Sequence, residues 1–214
     1  MKILALDASL GRCSVALCEG GTVIAERHAD GGRGQPALLA PMVAEVLAAS
    51  EGRFDVVAVT VGPGSFTGLR ASIALAQGLA AGRKAALVGV TVAEALRAAL
   101  SVADRTVWVA IDSRRGRLFL ARDHDLETFA LDALPMTSGK IAVAGDAARE
   151  VASRLAARGV DVILTDARQP WARHVAAVAT RRIAGEWPAI SVQPLYVDPP
   201  EAKLPAGGLR PAPL

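Results

Sequence analysis

Long apolar runs are missing from this chain. Hydrophobic residues make up 52% of its 214 residues, yet charge or glycine breaks every apolar stretch within about a dozen residues, well short of the roughly 20 a membrane span needs. No membrane partner is expected. The opening "MKILALD" meets an acid at Asp7 before a signal-like apolar region develops, so a cytoplasmic location is expected. Cysteine is scarce: Cys13 and Cys18 sit five residues apart on one expected strand and point to opposite faces, which disfavours a disulfide or a metal pair and makes both core residues. Aromatics are only 4%, too few for a surface that stacks RNA bases, so sequence-specific readout of nucleic acid by this chain alone is not expected. The 24 Lys and Arg exceed the 21 Asp and Glu by a net +3 and are scattered, leaving room only for a basic face that helps a partner hold nucleic acid. The three histidines, His28, His124 and His174, are isolated, with no H-x-x-x-H pair, so metal binding by this chain is not expected. Neither a Ser-His-Asp nor a Cys-His neighbourhood can be read.

The residues that are present suggest an α/β chain. Lys2–Asp7, Cys13–Cys18 and Thr22–His28 read as three meandering strands. Gln35–Ser50 carries Leu38, Leu39, Met42, Val43, Val46 and Leu47 on a helical stripe, with Pro36 in the first turn. A buried-type strand, Asp55–Thr60, precedes a helix over Phe66–Ala81; a short strand, Leu87–Val90, precedes a helix from Thr91, capped with Glu94 three residues on. The order is βββαβαβα.

The second half starts the pattern again. "ILALDASLGRCSVAL" from Ile3 lies over "VWVAIDSRRGRLFLA" from Val107, pairing Asp7 with Asp112, Gly11 with Gly116 and Arg12 with Arg117. Downstream, Ile141–Ala144 runs into Gly145, Asp146 and an alanine-rich helix, and Val160–Leu164 and a helix near Trp171–Ala184 complete the set. A duplicated βββαβα unit is the layout of two-lobed actin-like and sugar-kinase-like proteins, with lobes expected over 1–102 and 103–198 and a Pro/Gly-rich tail over 199–214. Asp7, Ser9 and Asp112 would then line the cleft between lobes, where an ATPase or small-molecule kinase would use them; the alternative is that both Asp side chains accept backbone N–H bonds in their own turns. The segment from Trp187 is expected to cross the surface in extended form.

"VTVGPGSFTGLRAS", Val59–Ser72, is the most unusual stretch. Strand, glycine turn and helix N-terminus form a recipe for an anion site, to which Gly62, Pro63, Gly64, Ser65, Thr67 and Gly68 could contribute. The P-loop pattern fails because no Lys follows a glycine at the right offset, and Gly62, Gly64 and Gly68 run G-x-G-x-x-x-G, not the dinucleotide fingerprint. The mechanical reading is a tight turn at Pro63, a cap from Ser65 or Thr67, and a helix face of small residues, Gly68, Ala71, Ala74 and Gly78, that lets a neighbouring helix come close.

"GPGSFTGLR" from Gly62 to Arg70, with "ILALDAS…CSVAL", "LLAPMVAEVL" from Leu38, "GVTVAEAL" from Gly89, "AIDSRRGRLFLA" from Ala110 and "PLYVDPPEAKLP" from Pro194, closely resembles the bacterial TsaB (YeaZ) family from end to end. The resemblance implies an actin-like (ASKHA / RNase H-like) fold. It also implies a non-catalytic role in forming threonylcarbamoyladenosine at the tRNA adenosine beside the anticodon, as partner of the metal-bearing transferase TsaD, with the small ATPase TsaE as a third member. The chain would need no cofactor of its own. ATP or ADP at an interface of the complex, and a homodimer when the partner is missing, fit the same resemblance, and tRNA would be met only through the complex. The partner face it implies is Gln35–Ser50 and Phe66–Ala81, with Leu38, Leu39, Met42, Val46, Phe66, Leu69, Arg70, Ala74 and Gly78 as contact residues. The chain departs from the family at Gly32-Arg33-Gly34-Gln35, where relatives carry a His before the first helix, and at Ala71-Ser72, where Ile-Gly is commoner.

Overall fold

The computed structural model describes residues 1–31, 34–123 and 125–197. Arg33, His124 and the tail 199–214, each the subject of an expectation above, lie outside the described residues.

Two five-stranded sheets are built on the same plan. In the first, β1 (Lys2–Asp7), β2 (Arg12–Glu19) and β3 (Thr22–Asp30) form an antiparallel meander, and β4 (Val56–Gly62) and β5 (Ala86–Thr91) add in parallel on the other side of β1, giving the order β3-β2-β1-β4-β5. The second has β6 (Thr106–Asp112), β7 (Leu118–Arg122), β8 (Asp125–Phe129), β9 (Ile141–Ala144) and β10 (Val162–Leu164) in the order β10-β9-β6-β7-β8, which is the same sequence of positions. Asp7 and Asp112 end the equivalent strands β1 and β6. The expected two-lobed, actin-like duplication is the architecture found.

Two differences have local causes. The first helical stripe opens as a 3₁₀ turn, Gln35–Leu38, and becomes the helix α1 only over Leu39–Ala48. In the second unit the segment between β8 and β9 is too short for a counterpart of α1 and holds a single 3₁₀ turn, Leu131–Ala133. The repeat is therefore one helix short among the described residues.

The remaining helices are α2 (Phe66–Arg83), α3 (Val92–Arg97), α4 (Ala148–Ala157) and α5 (Ala172–Ile183). The capping box expected at Thr91 and Glu94 is present in full, each side chain bonding the other residue's amide. Cys13 and Cys18 are buried in different hydrophobic clusters on opposite faces of the first sheet, as strand alternation requires.

The lobe expected over 103–198 does not keep its last helix. Val175, Ala176, Val178 and Ala179 of α5 pack against Ile3, Ala5, Ala16, Val56 and Ala58 of the first sheet, because alanines on helix and strands allow close approach. Conversely, Val92, Ala93 and Leu96 of α3 pack against Val109, Ile111 and Ala144 of the second sheet. Arg182 of α5 ties the exchange: buried, it donates to Glu94 Oε1 at 2.6 Å and to the carbonyls of Gly89 at 2.5 Å and Pro188 at 2.7 Å. Residues 188–197 then run extended over the first lobe, where the Leu195 amide meets the Val61 carbonyl at 2.7 Å and Gln77 Nε2 meets the Val192 carbonyl at 3.1 Å. No helix among the described residues is long and apolar enough to cross a membrane.

Candidate functional site

The glycine turn packs onto the first hairpin. A Cβ on Gly64 would collide with the carbonyl oxygen of Ser9, and one on Gly68 with that of Ala8, so glycine at both positions is what lets α2 begin directly against the β1–β2 loop. The Ser65 amide donates to that Ser9 carbonyl at 2.6 Å, and Ser65 Oγ caps the helix by accepting from the Gly68 amide at 3.2 Å. Two donors of the would-be anion cradle are thereby used inside the chain. Of the two expected caps Ser65 is the one used, while Thr67 is exposed. The second lobe repeats the device at Gly145, which sits at φ +100° against the Ala110 carbonyl.

Beneath this contact lies Asp7. It is fully buried, and its Oδ1 accepts from Ser9 Oγ at 2.6 Å, Thr60 Oγ1 at 2.7 Å and the Ser9 amide at 3.2 Å, while Oδ2 has no hydrogen-bond partner. Burial pushes its pKa up to about 6 against the opposing pull of the Ser9 and Thr60 bonds. Asp7 is therefore not the cleft-facing carboxylate that the kinase reading expects, because β1 is the central strand and its last residue turns inward. Ser9 borders the cleft but is itself buried.

A cleft of about 770 Å³ separates the lobes, walled by the β1–β2 loop, the glycine turn, the β6–β7 turn and the strap at Pro194–Val197. Asp112 reaches it. Its Oδ1 accepts from the Arg114 amide at 2.7 Å, the turn-bonding role also met at Asp7 and Ser9. The Arg114 guanidinium lies 3.4 Å from Asp112 and 3.3 Å from Asp146, whose other oxygen takes the Asp112 amide at 2.9 Å. Burial raises the Asp146 carboxyl above the usual range. Gly11, which lines the cleft, is held from both sides: its amide donates to Gln169 Oε1 at 2.8 Å and its carbonyl accepts from Gln35 Nε2 at 3.0 Å. Among the described residues no group of three or more His, Cys, Asp or Glu could hold a metal ion.

The expected partner face divides in two. Leu39, Val46 and Leu69 are 1%, 0% and 3% exposed and belong to the monomer core with Val43, Ile73 and Ala76. They cannot meet a partner, because the stripe that amphipathic spacing picks out is the one the helix turns toward its own sheet. Met42 is half-buried against the same core. Leu38, Phe66, Arg70, Ala74 and Gly78 are exposed, and a Cβ on Gly78 would meet nothing within 4 Å. Tyr196 was not singled out from the sequence, yet it completes this face: its hydroxyl accepts from Arg70 Nη2 at 2.8 Å and Nε at 3.1 Å, while the Arg70 guanidinium stacks over Phe66 at 3.8 Å. The available signal was its being the chain's single tyrosine, inside "PLYVD".

A family model described as "TsaD: tRNA N6-adenosine threonylcarbamoyltransferase" matches residues 33–163, well over half of the chain. The chain belongs to this family, on its TsaB (YeaZ) branch. Over 126 residues it is 38% identical to the tRNA threonylcarbamoyladenosine biosynthesis protein TsaB of Escherichia coli, covering 56% of this chain and 54% of that one. Over 130 residues it is 35% identical to the Haemophilus influenzae TsaB, covering 57% and 53%. The chain thus spans about half the length of the curated relatives it matches. YeaZ from Pseudomonas aeruginosa superposes with a TM-score of 0.75 at 24% identity, covering 91% of this chain and 99% of that chain. A further Pseudomonas aeruginosa structure, of a protein described as similar to the peptidase YEAZ, gives 0.76 at 24% identity, covering 92% and 99%. A polyphosphate/ATP glucomannokinase from Arthrobacter shares the fold more distantly, with a TM-score of 0.50 at 14% identity over 86% of this chain and 99% of that one. These structural likenesses establish the two-lobed actin-like fold.

Proposed function

We propose that this chain is a non-catalytic subunit of the complex that transfers a threonylcarbamoyl group to the tRNA adenosine beside the anticodon, and that it acts by packing α1 and α2 against a TsaD-like transferase subunit. The observation that carries the reading is the outward face of α2. Phe66, Arg70, Ala74 and Gly78 stand one turn apart and exposed, small enough in the lower half for another helix to approach closely. Meanwhile the glycine turn that begins the helix uses its Ser65 amide on the chain's own hairpin and its Gly68 amide on the Ser65 cap. In this reading the metal belongs to the transferase, ATP or ADP sits at an interface of the assembly, and a TsaE-like ATPase and tRNA engage the complex. A homodimer through the same face forms when the partner is missing.

The test is product formation on tRNA from threonine, bicarbonate and ATP with the adenylate-forming enzyme, TsaD and TsaE, with this chain added or omitted. Product only in its presence supports the reading; equal product without it overturns the role. Ala74→Trp and Gly78→Trp are expected to weaken association with the transferase at least tenfold while the unfolding midpoint holds, since an interface of ordinary size buries about 1,600 Å² and tolerates no bulky intruder at its centre.

A second reading, an ATPase or small-molecule kinase, draws on the Asp112–Arg114–Asp146 group in the cleft. ATP hydrolysis by the purified chain, lost in Asp112→Asn, would favour it.

A further inference from the structure

The α2 face is not uniformly apolar. The sequence of α2, FTGLRASIALAQGLAAGR, contains two arginines and no acid, and its N-terminal end adds the positive pole of the helix dipole. In that first turn and a half the exposed side chains are Phe66, 59% accessible, Thr67 and Arg70, with Tyr196, 57% accessible, brought alongside from the strap. Large aromatic groups this exposed are unusual in a chain with 4% aromatics, and both touch one guanidinium.

The arginine is pre-set rather than freely solvated. Stacking on Phe66 fixes the guanidinium plane, and the two bonds from Nε and Nη2 to the Tyr196 oxygen fix its rotation. Because the Tyr196 oxygen accepts in both bonds, its own O–H is left to donate. On the guanidinium the Nη1–Nη2 edge remains, with one N–H from each nitrogen, and no carboxylate among the described residues pairs with Arg70. Two parallel N–H donors on one charged edge, held in place by Phe66 and Tyr196, match the two oxygens of a carboxylate.

We propose that Arg70, clamped by Phe66 and Tyr196, is the anchor of the partner interface and receives an Asp or Glu side chain carried on an otherwise apolar helix of the transferase subunit. The proposal rests on the functional reading above and gives it a specificity element: the strap at Pro194–Val197 belongs to the docking surface, and the partner must bring one negative charge to an apolar patch. Exposed Leu38, Leu195, Ala74 and Gly78 around the anchor favour a protein helix over a nucleic-acid backbone, which would want several cations rather than one.

The experiment measures the dissociation constant of the full chain with the transferase subunit of the same organism, by calorimetry at low and moderate salt, for wild type, Arg70→Ala, Arg70→Lys, Arg70→Glu and Tyr196→Phe. Arg70→Ala and Arg70→Lys are expected to weaken binding about tenfold, Arg70→Glu about a hundredfold, and Tyr196→Phe several-fold, with the salt dependence of the wild type flattened in Arg70→Ala. Unfolding midpoints should not move, since Arg70 is exposed. One Asp or Glu to Lys exchange on the transferase face should restore binding to Arg70→Glu. Wild-type binding that Arg70→Ala and Arg70→Glu leave within twofold overturns the anchor and spares the functional reading. Failure of every carboxylate-to-lysine exchange to restore Arg70→Glu overturns the carboxylate. Absence of wild-type binding overturns the functional reading, and the anchor falls with it. If tRNA alone binds wild type and Arg70→Ala abolishes that, the anchor takes phosphate and the proposal is wrong.

Discussion

The Ser65 amide donates to the Ser9 carbonyl across 2.6 Å, fastening the start of α2 to the loop that follows β1. The same Ser9 gives its hydroxyl and its amide to the buried Asp7 carboxylate, so the glycine turn, the hairpin and the acid beneath them are one connected unit. A motif that looks like a phosphate cradle in sequence is here a joint between an exposed helix and the core of its lobe.

If the joint is steric, Gly68 and Gly78 of α2 should respond oppositely. Gly68→Ala forces a methyl group into the Ala8 carbonyl, which belongs to the backbone and cannot swing aside. A loss of about 2–4 kcal/mol is expected in urea unfolding. Gly78→Ala meets open space and should stabilise the chain by about 0.5–1 kcal/mol through helix propensity. Equal effects at the two sites would remove the packing argument.

Asp7 should make stability depend on pH in the sense opposite to an ordinary salt-bridged carboxylate. Its folded pKa, about 6, lies above the 3.8 of an unperturbed Asp, so between those values the folded chain holds a proton that the unfolded chain has released. Its contribution to stability is complete below about pH 4, is lost as the pH rises to about 6, and is flat beyond. Compared with Asp7→Asn, the wild type is expected to gain about 3 kcal/mol on going from pH 7 to pH 4, a shift of about two pK units at 1.36 kcal/mol each. Parallel stability profiles for the two proteins would show that the carboxyl titrates normally.

The Arg182–Glu94 pair should matter because both lobes depend on α3 and α5. Arg182→Ala leaves Glu94 without its partner beside two stranded carbonyls, at an expected cost of about 3–5 kcal/mol. Arg182→Met, which keeps the volume and removes the charge, combined with Glu94→Gln should recover at least half of that. Thermal unfolding of the two variants beside the wild type distinguishes a buried pair from a dispensable surface contact.

Much of this was legible in the linear chain. The order of elements along each unit, the Thr91–Glu94 cap, the duplication that pairs Asp7 with Asp112, and the opposite faces of Cys13 and Cys18 all follow from local periodicity and turn chemistry, which act over a few residues. Periodicity also misled. It found the stripe with Leu39 and Val46, but the family resemblance put those residues and Leu69 on a partner face, and an apolar stripe reads the same whether it meets the chain's own sheet or another molecule.

Tertiary structure alone decided the rest. Burial of Asp7 depends on β1 lying between β2 and β4, a pairing closed by residues more than 50 positions away. The crossing of α5 onto the first sheet and the meeting of Arg70 with Tyr196, 126 residues later, are contacts between surfaces whose shapes exist only once both lobes have formed. Sequence determined which segments became helices and strands and that they repeat, because those preferences are set by neighbours in the chain. Which of their side chains stay exposed was settled by what the assembled core had already covered.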